Sequence, residues 1–196
     1  MIPFKRPPAG DRQRLMAVVL GHPVLSGIMK AWPQLALPDC WLSGSAIAQA
    51  RWNEAFGLPA MHGIADVDLV YFDASDLSEE AEAAHAARVA GIFPDMPVRI
   101  DLKNQARVHL WYEGRFGYAI EPYRSAAQAI ATFPTSSAAI GVRPSADGLD
   151  MIAPFGLTDL LAPIVRPNRA QITQAIYEAK LARWKALWPD LEAAEW

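Results

Sequence analysis

Three aspartates stand where two strands could bring their carboxylates together. Asp66 and Asp68 open the predicted strand 67–72. Side chains alternate along a strand, so both carboxylates project to one face. Asp101 interrupts residues 98–102, whose apolar side chains share the opposite face. If the two strands are neighbours, the three carboxylates converge, and they raise one another's pKa values unless a cation neutralises them.

Carboxylates clustered without histidine or cysteine suit a hard divalent cation, Mg²⁺ or Mn²⁺. Two such ions on Asp66, Asp68 and Asp101 could activate an attacking oxygen and stabilise a leaving pyrophosphate in phosphoryl transfer. The three aspartates are therefore the predicted catalytic residues and the predicted metal ligands. The alternative is that Asp66 and Asp68 are solvated acids at the start of a strand.

Gly44 and Ser45 lie between a short predicted strand, residues 40–43, and a predicted helix, residues 46–56. Glycine allows the backbone to come close to a phosphate, and the free N–H groups of the first helical turn would point at it. The Ser45 hydroxyl adds a donor. Gly44 and Ser45 are thus predicted nucleotide-binding residues, and they complement the metal site.

Residues 107–112 alternate between polar and apolar types, which predicts a third strand beside Asp101. On that strand Arg107 and His109 share a face, so together with Lys103 they could bind a triphosphate or the acceptor. It is equally consistent with the sequence that the basic side chains form only a surface ion pair and that the His109 imidazole is only packed against its neighbours.

Three further polar residues could border such a site. Arg143 and Arg166 are candidate phosphate partners. His62 lies in a loop that could reach the site, although a lone loop histidine is usually solvated.

The remaining pattern predicts the elements that must position these residues. Helices are predicted over 11–20, 24–31, 46–56, 78–90, 125–132 and 169–187, and further strands over 139–142 and 149–152. Asn168 is the expected cap of the last helix. Strands and helices mix without a regular β-α-β rhythm, which favours the α+β class. We expect one domain over residues 1–196, with a core at about 20–170 and a C-terminal helix at about 168–188.

Composition narrows the class of protein. The chain has 196 residues, of which 52% are hydrophobic, so a sizeable core is available. Its net charge of −3 gives no reason to expect a nucleic-acid partner. Residues 66–101 carry two basic and nine acidic residues, a local charge of −7, and the predicted metal ligands stand at both ends of this stretch.

The single cysteine, Cys40, cannot form an internal disulfide, and no apolar run approaches the ~20 residues of a membrane span. A cytoplasmic protein without a membrane partner is the simplest expectation, and a homo-oligomer remains open. No phosphate-binding P-loop, dinucleotide-binding glycine pattern, serine-nucleophile motif or paired zinc spacing is found.

Residues 42–45, 66–69 and 100–102 resemble the pattern of the DNA polymerase β-like nucleotidyltransferase superfamily. The chain is more closely similar to a bacterial family of largely uncharacterised proteins described as nucleotidyltransferases. The longer strings at 66–73, 103–112 and 153–160 carry this resemblance, which extends to Arg166-Pro167-Asn168 and covers about residues 20–170. It implies a mixed β-sheet, polymerase β-like palm core with flanking helices and a C-terminal helix.

The resemblance and the acid cluster together predict Mg²⁺- or Mn²⁺-dependent transfer of a nucleoside monophosphate from an NTP to a small-molecule or protein acceptor. Asp101 would help to activate the acceptor oxygen as a metal ligand or general base. The alternative is a non-catalytic nucleotide-binding or protein-interaction module on the same fold, because nothing beyond the minimal core obviously forms an acceptor domain.

Overall fold

The computed structural model describes residues 7–196 of the chain. It opens with two helices, α1 (Ala9–Gly21) and α2 (Pro23–Leu35). They separate at His22, whose Nδ1 accepts a hydrogen bond from the backbone N–H of Leu25. Pro23 occupies the first turn of α2, where its missing N–H removes no helical hydrogen bond. The predicted break between these two helices is confirmed.

No single helix in residues 7–196 is long and apolar enough to cross a membrane. Helices α1 and α2, bent by 90° relative to each other, reach the required length and apolar composition only when they are taken together. Leu15, Val19, Leu25 and Ile28 of these two helices are fully buried in the main core.

A five-stranded mixed sheet forms the centre of the fold. In chain order its strands are β1 (Trp41–Ser43), β2 (Asp66–Tyr71), β3 (Arg99–Asn104), β4 (Gly141–Ser145) and β5 (Gly148–Ile152). Their order across the sheet is β3-β2-β1-β4-β5, in which only β2 and β3 pair in parallel. Helix α3 (Ser45–Ala55) connects β1 to β2, and α4 (Glu79–Ile92) makes the crossover that the parallel pair requires. The α+β class is confirmed.

The two faces of the sheet carry different residues. Leu42, Leu69 and Val142 are fully buried against the helices of the main core. Side chains alternate along each strand, so the neighbouring positions point to the other face. Helix α6 (Ala126–Ile130) covers part of that second face, where Ile130 packs with Trp41 and Val70.

The third strand predicted for residues 107–112 is wrong. Gln105–Arg107 form a 3₁₀ turn that continues into helix α5 (Val108–Phe116). The turn begins at Asn104, whose side-chain oxygen accepts the backbone N–H of Ala106. Val108 and Tyr112, four residues apart, are both buried on one side of the helix. A short alternating pattern is therefore also compatible with a helix, and here the Asn104 side chain caps the turn that starts one.

The C-terminal helix, α8 (Gln174–Leu187), starts later than predicted. Its cap is Thr173, whose hydroxyl accepts the backbone N–H of Ile176. Asn168 does not cap it: this buried side chain donates to the carbonyl oxygens of Ala131 and Phe133. Asn168 thus holds the chain before α8 against the segment after α6.

A tryptophan cluster fixes α8 to the core. Trp52 of α3 makes edge-to-face contacts with Trp184 and Trp188, with ring centroids 5.0 and 5.3 Å apart. The Trp188 indole also donates to the Asn53 side-chain oxygen over 2.7 Å. Such aromatic pairs contribute free energy beyond that of burial, so α8 has a defined position against α3.

The remaining elements are short. They are α7 (Thr158–Leu161) and a two-stranded parallel sheet of β6 (Ile164–Val165) and β7 (Glu192–Ala193). The single domain over residues 1–196 stays a prediction, and its first six residues lie outside those that the structure describes.

A buried ion pair holds the turn between β3 and α5. The Arg107 guanidinium lies 3.1 Å from the Glu82 carboxylate, and both residues are less than a tenth exposed. Glu82 also accepts the Asn104 backbone N–H over 2.7 Å, and Arg107 donates to the Leu77 carbonyl over 3.2 Å. This network anchors the end of β3 to α4.

We expect Arg107→Ala to lower the free energy of unfolding by about 2–4 kcal/mol, because it leaves the Glu82 carboxylate buried without its main partner. Urea denaturation measures the change. Glu80→Ala, which removes an exposed carboxylate from the same helix, is the matched control and should change stability by less than about 0.5 kcal/mol. Equal effects of the two substitutions would contradict this account.

Candidate active site

The parallel register of β2 and β3 brings the three predicted aspartates together. Asp68 lies directly opposite Asp101, and Asp66 lies opposite Arg99. Burial, followed by the negative charges of Asp66 and Asp101, raises the pKa of Asp68 from 3.8 to about 7. The expected proximity of the carboxylates is therefore present in the fold, whereas their role as catalytic residues and metal ligands remains a prediction.

Two cations of β3 partly neutralise this acid cluster. Arg99 Nη2 lies 3.0 Å from Asp66 Oδ2 and 3.7 Å from Asp101 Oδ2. Lys103 Nζ lies 3.8 Å from Asp101 Oδ1. Arg99 was not among the predicted site residues, although its place two residues before Asp101 on the same strand could have indicated it.

Gly44 brings the backbone of the strand-to-helix turn close to Asp68. Its φ of 82° is a conformation that L side chains rarely adopt, and a Cβ at this position would collide with Asp68 Oδ2. Ser45 follows as the first residue of α3. The first-turn N–H groups of an eleven-residue helix therefore begin beside the acid cluster.

A cleft of about 280 Å³ opens beside the acids. One end of it is polar and is lined by Gly44, Ser45, Asp68, Asp101, Lys103 and Lys180. The other end is aromatic and apolar. Five of the eight predicted site residues line this cleft, namely Gly44, Ser45, Asp68, Asp101 and Lys103, whereas Asp66 is not part of its lining.

Lys180 reaches the cleft from α8 and was not predicted from the sequence. Its ammonium group lies 4.6 Å from the centre of the Trp184 ring. Burial and the positive charge of Arg183 lower its pKa, while the charges of Asp68 and Asp66 act in the opposite direction. No local motif marks this lysine, because only the packing of α8 on α3 places it near the acids.

Arg107 and His109 do not join the other predicted residues. Neither lines the cleft, and Arg107 is bound to Glu82 on the α4 side. His109 Nδ1 is buried without a hydrogen-bond partner in the described part of the chain. Residues two apart share a face on a strand but point about 200° apart on a helix, so the wrong strand assignment also misplaced these two side chains.

The other three candidates from the sequence, Arg143, Arg166 and His62, also lie outside the cleft. Arg143 stacks over the Trp41 ring at 4.0 Å and reaches Asp150 at 3.5 Å. Arg166 is paired with Asp159 at 3.1 Å. The His62 ring contacts the Leu187 carbonyl at 2.8 Å. Each of them has a structural partner.

The donor set fits a hard divalent cation. Asp66, Asp68 and Asp101 offer only carboxylate oxygens. Burial and then the repulsion between these carboxylates raise the Asp68 pKa, and a bound cation would relieve the repulsion. Within residues 7–196 no three Asp, Glu, His or Cys side chains are already arranged as a metal site. Binding by Asp66 would require Arg99 to release it, which is feasible because the Arg99 side chain is 67% exposed.

The five-stranded mixed sheet and its flanking helices form the fold of a polymerase β-like nucleotidyltransferase, and the acid cluster lies on β2 and the edge strand β3. A solved NMR structure described as a CCA-adding enzyme head domain has the same fold, with a TM-score of 0.75 and 22% sequence identity. The similarity covers 94% of this chain and 96% of that one.

The family comparison is more direct. The nucleotidyltransferase family matches residues 30–193, and the chain belongs to that family. No curated protein matches the chain in sequence.

We expect Gly44→Ala to destabilise the protein more than Gly57→Ala. Both glycines have a positive φ, but a Cβ on Gly57 meets nothing within 4 Å, whereas one on Gly44 collides with Asp68. The positive φ should cost the Gly57 variant about 1–2 kcal/mol. Gly44, with φ 82° and ψ −160°, lies in a region essentially restricted to glycine, so its variant should lose about 1–3 kcal/mol to backbone strain and about 1–3 kcal/mol more to the collision. Denaturation midpoints measure both changes.

The same collision provides an internal control. In an Asp68→Ala background, the excess cost of Gly44→Ala over Gly57→Ala should shrink, because the colliding carboxylate is gone. An unchanged excess would show that Asp68 is not the obstacle.

Replacing Asp68 by asparagine should stabilise the metal-free protein at pH 8. The folded state holds the Asp68 proton more tightly than the unfolded state, so this contribution to stability is present below pH 3.8 and is lost as the pH rises through about 7. We expect Asp68→Asn to raise the free energy of unfolding by about 1–2 kcal/mol at pH 8, allowing for partial solvent contact. The difference should narrow toward pH 4.

Urea denaturation in EDTA at the two pH values measures this effect. Asp95→Asn, which neutralises an exposed carboxylate of the same acidic stretch, is the control and should change little at either pH. A destabilising effect of Asp68→Asn at pH 8 would contradict the prediction.

Proposed function

We propose that the protein is a divalent-metal-dependent enzyme that transfers a nucleoside monophosphate from an NTP to a hydroxyl or phosphate of a small-molecule or protein acceptor. Family membership supports nucleotidyl transfer in general. The observation that carries the finer proposal is the meeting of Asp68 and Asp101 in register beside the glycine turn that opens α3.

Asp66, Asp68 and Asp101 would hold Mg²⁺ or Mn²⁺. Bound there, the metal would promote attack by the acceptor oxygen and stabilise the negative charge of the leaving pyrophosphate. The carboxylate of Asp101 would also accept a proton from the acceptor hydroxyl.

The cations and the helix N-terminus would bind the triphosphate. The N–H groups of the first turn of α3 and the Ser45 hydroxyl offer donors to its oxygens. Lys103 and Lys180 face the same cleft from two different elements and would balance the phosphate charge. Arg99 would release Asp66 as the metal binds and remain beside the cleft.

The proposed acceptor is a small molecule or a protein and not a nucleic acid. The structural neighbour is described as a CCA-adding enzyme head domain, but 22% identity carries only the fold to this chain. The net charge of −3 offers little attraction to a long polyanion. We also infer a cytoplasmic location, because a reaction that consumes NTPs and needs no disulfide suits a reducing compartment.

One observation favours a non-catalytic nucleotide-binding module as the second candidate. Arg99 already contacts both Asp66 and Asp101, so the chain supplies its own cation where a metal would bind. A protein that keeps Arg99 in this position could bind nucleotides without turning them over.

Asp101→Asn and Asp68→Asn should reduce metal-dependent transfer from [α-³²P]NTPs by about 10²–10⁴-fold, since each removes a carboxylate from the reacting centre. Transfer is measured onto metabolite pools and cell protein, with Mg²⁺, with Mn²⁺ and with EDTA. Asp95→Asn is the matched control and should retain full activity.

The two candidate functions give different results in this assay. Pyrophosphate release that depends on Asp68 and Asp101 supports the enzyme. Tight, Mg²⁺-dependent NTP binding without labelled product from any acceptor, together with unchanged binding by Asp101→Asn, would instead support the non-catalytic module.

A further inference from the structure

The aromatic end of the cleft has no part in the chemistry proposed above. We call it the aromatic pocket and define it by six residues: Val108, Trp111, Tyr112, Phe116, Tyr123 and Phe133. It is continuous with the acid cluster, because Val70 and Lys103, which pair in register between the two ends, line the same cleft. A single ligand could therefore occupy both ends.

One wall of the aromatic pocket is a preformed stack on α5. Val108, Tyr112 and Phe116 follow one another at intervals of four residues, which places them on one side of the helix. The Tyr112 and Phe116 rings have centroids 4.4 Å apart. Phe116 is nonetheless 37% exposed, so the stack has no further protein layer over its outer ring.

Hydrogen bonds hold this wall against the chain that leads into α8. The Tyr112 and Tyr118 hydroxyls lie 3.1 Å apart, and Tyr118 donates to the Gln171 carbonyl over 2.7 Å. The Tyr123 hydroxyl lies 2.7 Å from Gln171 Oε1 and 2.9 Å from Thr132 Oγ1. These hydrogen bonds hold one wall of the pocket in place before any ligand enters, which lowers the entropic cost of binding.

Two amide side chains line the same cleft as the rings. Gln105 is only 6% exposed, and its single side-chain bond within residues 7–196 runs from Nε2 to the Lys103 carbonyl over 3.3 Å. Gln171 uses one end of its amide on Tyr123. In the described part of the chain, each amide therefore keeps one polar end without a protein partner.

These features together select a class of ligand. A purely apolar occupant would remove the two free amide ends from water without bonding to them, which disfavours its binding. A planar heteroaromatic ring with polar edges would stack on the aromatic side chains and also bond to the amides. A nucleobase has this chemistry, and its sugar and phosphates would extend toward Lys103 and the acids.

We propose that the aromatic pocket binds the nucleobase of the NTP, which would stack against the aromatic side chains of the pocket, Trp111 and Phe116 among them, while the edge of the base donates a hydrogen bond to Gln105 Oε1 and accepts one from Gln171 Nε2. This inference rests on the proposed function, since it names where the nucleoside part of that substrate lies. It also makes α5 and the residues before α8 the elements that select the base.

Separate probes for the two ends of the cleft test this proposal. The four ribonucleosides carry the base without phosphates, and inorganic tripolyphosphate with Mg²⁺ carries the charge without a base. We expect at least one ribonucleoside to bind without metal, as measured by saturation-transfer NMR and by quenching of tryptophan fluorescence. Trp111→Ala should weaken nucleoside binding by about 5- to 100-fold and leave tripolyphosphate binding unchanged.

Matched variants keep the result interpretable. Leu110→Ala alters the neighbouring residue of α5, which is 57% exposed and lies outside the cleft, and should change neither affinity. Trp111→Phe keeps an aromatic face and should retain most of the nucleoside affinity. Phe116→Ala removes a partly exposed ring and provides a second test if Trp111→Ala fails to fold.

The outcomes separate this inference from the proposed function. If Mg²⁺-tripolyphosphate binds but no ribonucleoside does, or if Trp111→Ala and Phe116→Ala leave nucleoside affinity unchanged, the base pocket is overturned while nucleotidyl transfer stands. Nucleoside binding that depends on Trp111, in a protein that transfers nothing to any acceptor, supports the pocket and contradicts the enzyme.

Discussion

The pairing of β2 with β3 sets one electrostatic constraint on the whole site. The parallel register places Asp68 opposite Asp101 on a half-buried face, with Asp66 two residues away on the same strand. Carboxylates in this arrangement repel one another, so the folded protein must supply positive charge or keep a proton on Asp68. A divalent cation, a phosphate-bound metal and nearby basic side chains are the available solutions.

Basic side chains from different elements supply this positive charge. Arg99 and Lys103 lie on the same strand as Asp101, while Lys180 comes from α8. Helix α8 can deliver a cation reliably because its tryptophans pack edge-to-face on Trp52 of α3. Apolar packing of α8 on α3 thereby supports charge balance at the acids. Gln171, Ile172 and Ile176, at and just before the start of α8, also line the cleft.

Secondary structure was predicted correctly where it depends only on residues close together in the sequence. The break at His22 and the helix that follows Gly44 depend on caps and backbone conformation within a few residues. The alternation at 107–112 misled because a half-buried strand and a half-buried helix can share a short pattern. Asn104 and the Glu82–Arg107 ion pair decided for the helix, and both act through contacts that alternation does not encode.

By itself, the sequence indicated the acid cluster and the glycine turn. The spacing of Asp66 and Asp68 on one strand, and the place of Gly44 before a helix, can be recognised from neighbouring residues alone. The tertiary structure alone decided that Lys180 faces these acids, that Arg107 turns away toward Glu82, and that rings from α5 and the segment after α6 enclose one pocket. The physical reason is distance along the chain. Side chains far apart in sequence acquire a common site only when buried packing fixes the helices that carry them.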